Sequence, residues 1–356
     1  MRFSKAVRKL VAAPIALVAL ITAAALAGCE RNFQAPMNTL STRSDLAADI
    51  YSLFVQVTVW DSIILVIVLF VFFGAIFWFS SRPGDEDDPG AGITTDHGSH
   101  VALELAWTIG PALVLLLITI PTVRTIIRTQ PNRWPQDTFT IQVRAHQWWW
   151  EFYYPSLNIH TADEVHIPID TPIHFELYSE DIIHSFWIPA LGGKRDVIPG
   201  QINSITMIAK VPGEYWGQCV EFCGLSHANM RLRAYVDSAD DFKKWTANQL
   251  APPAEAVTPA AMAGEKIYKN APCAICHTIR GISGFSAQYS YGFRGPDLTH
   301  FGSRGTLAGS MLNNTPENLA LWIQDPSAVK PGAQMPTLGV RGSDLKDLVA
   351  YLESLK

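Results

Sequence analysis

The stretch "GQCVEFCGLSHANM", residues 217–230, decides the fold and chemistry of the domain around it. It places Cys219, Cys223, His227 and Met230 in one short segment of a chain that has five cysteines in all. Thiolate, imidazole and a weak thioether together form the ligand set of electron-transfer copper sites. Two cysteines this close outside the cytoplasm could instead form a disulfide, but a disulfide would leave the histidine and the methionine unexplained.

A second histidine lies upstream, in "DIIHSFWIPALGG", where His184 stands at the predicted end of a strand. A mononuclear blue copper site needs only one cysteine. With two thiolates and two imidazoles, the economical arrangement is a pair of copper ions bridged by both sulfurs. Each copper ion would then take one imidazole and one weak outer ligand.

The residues around this segment predict an all-β domain over residues 136–245. Short β-rich runs such as "FTIQVRAHQWWWEFYY" and "INSITMIA" alternate with Pro and Gly turns, as in an antiparallel sandwich or barrel. Residues 246–260 are rich in Ala and Pro and predict a flexible linker. Residues 261–356 predict a small all-α domain that closes on an amphipathic helix, because leucines and a tyrosine recur there at three and four residues.

The motif "CAICH" stands near the start of the helical domain and predicts covalent haem c. The thiols of Cys273 and Cys276 add across the two haem vinyl groups, and His277 is then held under the iron as an axial ligand. A structural zinc site would need a second pair of ligands, and a disulfide would not need the histidine.

The sixth iron ligand is expected from Met335, in the extended segment "PGAQMPTLG" before the last helix. Its rivals are Met262, which precedes the attachment motif, and Met311, whose apolar neighbours suggest a core methionine. The stretch "RGPDLTHFG" resembles the cytochrome c loop in which a proline carbonyl orients the proximal histidine. That role would fall to Pro296.

Two long apolar runs, at about residues 54–79 and 101–123, predict a two-helix transmembrane hairpin within an N-terminal segment of residues 29–135. Each run exceeds the roughly 20 residues that a helix needs to cross a bilayer core. The acidic, turn-rich sequence between them predicts the connecting loop. The protein is therefore predicted to be a multi-domain membrane protein.

Residues 1–28 have the layout of a secretory signal peptide, with four basic residues ahead of an apolar stretch that ends in small residues. The sequence Leu-Ala-Gly-Cys ending at Cys29 resembles the bacterial lipoprotein cleavage box and predicts lipidation; an ordinary signal peptide or an uncleaved anchor is the alternative. Loss of the four cations takes the formal net charge from −5 to −9, which argues against nucleic acid as a partner.

The signal peptide and the two spans together predict that both soluble domains lie on the outer face of the bacterial cytoplasmic membrane. Arginines that follow the second span would favour the opposite orientation if they were considered alone. The signal is the stronger guide, because large domains are translocated largely regardless of their flanking charge.

The stretches "AHQWWWEFYYP", "HSFWIPALGGKRDVIPG" and "PGEYWGQCVEFCGLSHANM" resemble subunit II of haem-copper cytochrome c oxidases. That resemblance implies a cupredoxin-like Greek-key sandwich that carries the binuclear copper centre CuA. Together with the "CAICH" domain, the chain resembles the caa-type oxidases, whose subunit II carries a fused class I cytochrome c. The resemblance implies as CuA ligands His184, Cys219, Cys223, His227, Met230 and the backbone carbonyl of Glu221. It also implies a magnesium site shared with subunit I, toward which the Glu221 side chain would point.

The same resemblance implies two roles outside the ligand set. Trp148, the first tryptophan of "QWWW", matches the aromatic residue through which electrons reach CuA from cytochrome c, although strand aromatics commonly serve packing alone. Glu104, in "ELAWTIGPA", matches the acid at the mouth of a proton channel into subunit I. An ionisable group at a helix end could equally be an interfacial carboxylate.

The resemblance implies a subunit of an oxidoreductase and translocase that works with subunits I and III. An external donor, cytochrome c or a cytochrome bc complex, would reduce haem c; the electron would pass to CuA and, through His227, to haem a in subunit I. Oxygen would there be reduced to water, coupled to proton pumping. A CuA-containing nitric oxide reductase would have a similar ligand segment, but the two-span hairpin and Glu104 favour the oxygen reductase. Nitrous oxide reductase needs a large propeller domain, and a copper-delivery protein would need no haem.

Overall fold

The computed structural model describes residues 35–78, 100–130, 138–283 and 295–356. The predicted signal peptide and Cys29 lie outside the described residues. The chain divides into two compact units, residues 48–133 and the remainder.

The first unit consists of two long helices, α1 (Asp45–Trp78) and α2 (Val101–Arg128). They contain 34 and 28 residues, so at about 1.5 Å per residue each exceeds a bilayer core of about 30 Å. Most of their apolar side chains face outward, and Phe70, for example, is 71% exposed; Leu46 and Ala47, at the start of α1, are buried. Both helices are long and apolar enough to span a membrane, and they extend beyond the predicted runs.

Ten strands form the β domain. They are β1 (Phe139–His146), β2 (Trp149–Tyr154), β3 (Ile159–Ala162), β4 (Glu164–Pro168), β5 (Pro172–Ser179), β6 (His184–Trp187), β7 (Arg195–Val197), β8 (Asn203–Ile208), β9 (Gly213–Cys219) and β10 (Arg231–Asp237). One sheet has the order β3-β2-β1-β5-β8 and the other β4-β10-β9-β6-β7. Strands β1 and β5, and likewise β4 and β10, pair in parallel, while the other neighbours are antiparallel.

The core of this sandwich follows from alternation along the strands. On β1, Ile141, Val143 and Ala145 are fully buried while the residues between them are half-buried, as expected where one face of a sheet packs inward. Trp150 and Phe186, from opposite sheets, meet edge-to-face in the middle. The predicted cupredoxin-like sandwich is confirmed, but the expectation that it is antiparallel throughout is wrong, because β1 pairs with β5 and β4 pairs with β10 in parallel.

A helix that the sequence analysis did not predict, α3 (Ala239–Leu250), follows the last strand. Ser238 caps its N-terminus by accepting a hydrogen bond from the Asp241 N–H, and Trp245 stacks on His166 with ring centroids 4.5 Å apart. The linker prediction for residues 246–260 is therefore wrong at its start, because the cap and the aromatic anchor extend the helix through residue 250.

The chain is held in place where α3 ends. The guanidinium of Arg280 donates to the carbonyl oxygens of Gln249 and Ala251. These bonds fix the start of the segment that joins the two soluble domains.

The C-terminal domain is mainly helical, as predicted. Its elements are α4 (Pro259–Asn270), α5 (Cys273–Cys276), a small hairpin of β11 (Thr306–Leu307) and β12 (Leu312–Asn313), α6 (Pro316–Gln324), α7 (Pro326–Val329) and α8 (Gly342–Ser354). Helices α4 and α8 cross closely at Gly264, where a Cβ atom would collide with the carbonyl oxygen of Asp347. Tyr268 and Tyr351 pack beside this crossing, each 1% exposed.

Candidate metal centre and haem pocket

The two ends of the candidate metal centre are set by neighbouring strands. His184 opens β6 and Cys219 closes β9, and these strands pair with Phe186 opposite Cys219. The segment after β9 then folds back, because the Cys219 N–H donates to the Met230 carbonyl oxygen at 2.9 Å. This closure brings the remaining predicted ligands to the strand ends.

Each cysteine sulfur faces one histidine. Cys219 Sγ lies 3.9 Å from His184 Nδ1, and Cys223 Sγ lies 3.5 Å from His227 Nδ1. The two sulfurs are 3.8 Å apart and both thiols are free. The outer positions are filled in the same paired manner: the Glu221 carbonyl oxygen lies 3.3 Å from Cys219 Sγ, and Met230 Sδ lies 3.9 Å from Cys223 Sγ. The structure thus brings all six predicted ligand groups together.

Burial and charge suit this cluster to soft metal ions. His184, Cys223 and Met230 are fully buried, and Cys219 is 3% exposed. The contact with Cys223 lowers the pKa of Cys219, while the same contact, with burial, raises the pKa of Cys223. Within the pair, the thiolate form is therefore favoured at Cys219. Two thiolates, two imidazoles and a thioether fit copper.

Asp181 supports the centre and was not predicted. Its Oδ1 lies 2.7 Å from His184 Nε2, which leaves Nδ1 of the ring facing Cys219. Burial alone would raise the pKa of Asp181, but hydrogen bonds from His184 and from the backbone N–H groups of Ile182 and Gln147 lower it. Such a carboxylate fixes the orientation and tautomer of a metal-binding histidine. Its position three residues before His184 was the only signal in the sequence.

The haem motif lines an apolar cavity of about 350 Å³. Cys273, Cys276 and His277 form one side of it, and Met335 is among the residues that close it. The two rival methionines, Met262 and Met311, do not line this cavity. Two thiols, an imidazole and a thioether around one apolar space fit a covalently attached haem.

His277 is prepared as an iron ligand by its neighbours. Its Nδ1 lies 2.8 Å from the Pro296 carbonyl oxygen, so Nδ1 carries the proton and Nε2 is free to bind a metal. Burial lowers the pKa of His277, although the bond to Pro296 opposes this, and the ring stays neutral. At Gly295 a Cβ atom would lie 2.6 Å from His277 Cε1, so the His277 ring can take this position only because residue 295 is glycine.

Trp148 lies between the two sites. Its indole Nε1 donates to the carbonyl oxygen of Cys223 at 2.7 Å, and the Gln147 side-chain amide donates to the same oxygen at 2.9 Å. Trp148 also lines the haem cavity and is 9% exposed. One side chain therefore contacts both the copper segment and the haem cavity.

Two predicted residues lie apart from these contacts. Glu104 is exposed in the first turn of α2, in the other compact unit. The Glu221 side chain is half-buried, and among the described residues the one group of His, Cys and acidic ligand atoms close enough to hold a metal is that of His184, Cys219 and Cys223. The proton-channel and magnesium roles therefore remain predictions.

Comparison with known proteins accounts for the three parts of the chain. Residues 32–125 match the family described as cytochrome c oxidase subunit II, transmembrane domain; residues 157–237 match its periplasmic domain; and residues 261–356 match cytochrome c. Cytochrome c oxidase subunit 2 of Alkalihalophilus pseudofirmus is 33% identical over 338 residues, which cover 93% of this chain and 94% of the relative. The chain belongs to the cytochrome c oxidase subunit II family.

A second relative of this subunit II chain has the same description. Cytochrome c oxidase subunit 2 of Bacillus subtilis is 32% identical over 362 residues and 96% of both chains. The periplasmic domain of subunit II of cytochrome oxidase of Bradyrhizobium japonicum is 29% identical, with a TM-score of 0.31, and covers 32% of this chain and 95% of that one. The chain is thus a membrane-protein subunit of an oxidoreductase complex, and its matched domains imply copper and haem.

Proposed function

We propose that this subunit II chain passes single electrons from an external donor, cytochrome c or a cytochrome bc complex, through a covalent haem c and a binuclear CuA centre to haem a in subunit I. Oxygen is reduced to water there, coupled to proton pumping. The observation that carries the proposal is the position of Trp148, which lines the haem cavity and donates a hydrogen bond to Cys223. Both soluble domains lie on the outer face of the membrane.

The residues of the copper centre hold their geometry in advance. When bound, the copper pair and the haem supply the one-electron redox chemistry. Cys219 and Cys223 would hold the copper through their thiolates, and His184 and His227 would each contribute one imidazole. Strand ends, backbone hydrogen bonds and Asp181 fix these side chains, so little needs to move when the charge changes.

The residues of the haem pocket divide the remaining tasks. Cys273 and Cys276 would attach the haem through thioether bonds, and His277 would be one iron ligand. Met335 would be the other; it is preferred to Met311 because it lines the same cavity as His277. The Pro296 carbonyl holds His277 in the tautomer that leaves Nε2 free.

The exposed end of the copper segment is proposed to face subunit I. Phe222 is 77% exposed and its ring lies 5.8 Å from that of His227. An exposed aromatic residue beside a buried metal site is a suitable anchor for a partner protein. Electrons leave through His227, and the Glu221 side chain joins a magnesium site at this boundary. Subunit III completes the complex.

Two proposed features concern the membrane. Glu104 acts as the acid at the mouth of a proton channel into subunit I. Cys29 is lipidated after cleavage of the signal peptide and provides a further anchor.

The route through Trp148 is tested in the complex purified from membranes, after optical identification of its haem types. Photoreduction of haem c by a laser flash is followed by its re-oxidation. Replacement Trp148→Leu is expected to slow re-oxidation at least about tenfold, because displaced reacting groups lose rate steeply. The matched control is Trp216→Leu. Trp216 lies on β9, and its ring packs against the guanidinium of Arg233. Equal rates in wild type and Trp148→Leu would contradict the route.

A further inference from the structure

The C-terminal domain that contains the haem cavity is here called the haem domain, and the β domain that contains the candidate metal centre is called the copper domain. Three consecutive residues of the haem domain, 330–332, contact the copper domain and are here called the docking strap. The Lys330 ammonium donates to the carbonyl oxygen of Trp148 at 2.5 Å. The carbonyl oxygen of Pro331, the following residue, accepts a hydrogen bond from the Ser226 hydroxyl at 2.5 Å. The backbone of Gly332 packs on the indole itself: a Cβ atom there would lie 2.8 Å from Trp148 Cη2. Every residue of the docking strap therefore contacts the copper domain.

The docking strap connects the two candidate redox sites over a short length of chain. At one end its partner Ser226 immediately precedes His227, a proposed copper ligand. At the other end Met335, the proposed iron ligand, follows Gly332 by three residues. A shift of the docking strap would therefore change the spacing of the haem pocket and the copper segment together.

A second contact holds the same two domains from the side. The Glu164 carboxylate accepts hydrogen bonds from both the backbone N–H and the hydroxyl of Thr306, each at 2.7 Å. The Ser310 hydroxyl donates to the Asp163 carbonyl oxygen at 3.1 Å, and the Arg231 N–H donates to the Gly309 carbonyl oxygen at 3.1 Å. The hairpin of the haem domain is thus bound to the edge of the β-sandwich.

Lys330 is the costly part of this interface. Its side chain belongs to the haem domain, is 4% exposed, and also donates to the Ala308 carbonyl oxygen at 3.2 Å. A buried ammonium is tolerated only where hydrogen bonds and opposite charge compensate for the lost water. Ala308 supplies part of this compensation from within the haem domain, and the rest comes from the Trp148 carbonyl oxygen and the buried carboxylate of Asp163, both in the copper domain. Separation of the domains would remove the part that the copper domain supplies.

We propose that Lys330 is a positioning residue for electron transfer, because it holds the haem domain against Trp148 and keeps the path between haem and copper assembled. This inference rests on the proposed function. Lys330 thereby keeps the two domains docked permanently, so that an external donor contacts the haem domain and not Trp148.

The test is flash photoreduction of haem c in the purified complex, with haem c re-oxidation measured in buffers of increasing viscosity. In the wild type a fixed arrangement predicts a rate that does not depend on viscosity. Lys330→Met loses two hydrogen bonds from a charged donor, so we expect re-oxidation to slow by about tenfold or more and to become viscosity-dependent. The absorption and EPR spectra of both sites should be unchanged.

Two controls separate positioning from general stability. Lys346→Met removes an exposed lysine from α8 of the same domain and should keep the wild-type rate. Gly264→Ala weakens the haem domain at its helix crossing, far along the chain from the docking strap, and should lower its melting temperature without slowing the transfer. If Lys330→Met fails to bind its cofactors, Lys330→Gln is measured in the same way.

The outcomes are distinct. A Lys330 variant with the wild-type, viscosity-independent rate would overturn the role of Lys330 and leave the proposed function intact. A viscosity-dependent rate in the wild type would also overturn the fixed arrangement. Absence of any transfer from haem c to copper in the wild type would overturn the proposed function and this inference with it.

Discussion

The Trp148 indole and the Cys223 carbonyl oxygen are joined by a hydrogen bond of 2.7 Å. Trp148 stands at the start of the "WWW" run before β2, while Cys223 lies in the segment after β9, so this bond links distant parts of the chain. Because the same indole lines the haem cavity, the bond places one aromatic ring between the two candidate redox sites. Electron transfer within a single chain becomes the natural use of this arrangement.

The proposed bridging role of the cysteines predicts a selective loss of function. In Cys219→Ser or Cys223→Ser the complex should stop oxidising haem c, because the copper pair loses a thiolate bridge, while the haem remains covalently attached. Rapid kinetics and pyridine haemochrome spectra check the two parts. Cys29→Ser is the matched cysteine control and should retain copper. Normal turnover in either bridging variant would refute the assignment.

The contact between Asp181 and His184 predicts a graded effect. Asp181→Asn keeps the size of the side chain but removes the charge that holds the imidazole at 2.7 Å. Losses of this kind typically weaken metal binding by about 10–100-fold. Competition with a copper chelator measures the change. Asp170→Asn, at a surface ion pair with Lys210, should behave like wild type, and equal copper retention in both variants would argue against a supporting role for Asp181.

The lining of the haem cavity predicts which methionine matters. Met335→Ala should abolish the absorption features of a methionine-ligated haem, whereas Met311→Ala should retain them, since Met311 does not line the cavity. Optical spectra of the oxidised complex distinguish the two. An unchanged spectrum in Met335→Ala, with loss in Met311→Ala, would transfer the ligand role.

The buried carboxyl group of Asp163 predicts a pH-dependent stability. Burial raises its pKa to about 6, although Lys330 opposes the shift. Between about pH 4 and 6 the folded state therefore holds a proton that the unfolded state has lost, so this group lowers stability as pH rises through that window. Asp163→Asn mimics the protonated form and has no titrating carboxyl group, so this part of the pH dependence of stability should be lost.

Denaturation at several pH values tests this prediction. The difference in unfolding free energy between Asp163→Asn and wild type should change between about pH 4 and 6 and become constant below about pH 4, where Asp163 is protonated in both states. A variant with the exposed replacement Asp240→Asn should stay within about 0.5 kcal/mol of wild type. A constant difference between Asp163→Asn and wild type across the whole range would contradict the assignment.

The close crossing of α4 and α8 predicts a cost for a single methyl group. Gly264→Ala would press its Cβ against the Asp347 carbonyl, so the helices must separate. Overpacking of this kind costs about 1–3 kcal/mol. Thermal unfolding of the haem domain within the whole chain measures it, with Met262→Ala, an exposed position of the same helix, as the control. A Gly264→Ala variant as stable as the control would show that the crossing is not tight.

The sequence carried the fold and the ligand groups because their signals are local. Alternation along β1 and the spacing of Leu348 and Leu352 report which face is buried, and the segment around Cys219 and Cys223 has a spacing that few other functions require. These features depend on neighbours within a few residues. They could be predicted before the structure was known.

The contacts between domains could not be predicted in this way. Lys330 and Trp148 are far apart in the chain, and no periodicity relates a buried lysine to a distant carbonyl oxygen. The flexible linker expected at residues 246–260 concealed the same point, since Ala and Pro composition gives no sign that Arg280 ties its carbonyl groups down. Long-range hydrogen bonds hold these segments in place, and composition alone does not predict such bonds.

The sulfurs of Cys219 and Cys223 are proposed to be shared by two copper ions. Metal analysis of the mature complex, combined with determination of the sulfur oxidation state, is the most direct test. Two copper ions and one covalent haem per chain are expected, with no disulfide between the two sulfurs. A copper-free protein with Cys219 and Cys223 joined in a disulfide would contradict the shared copper site.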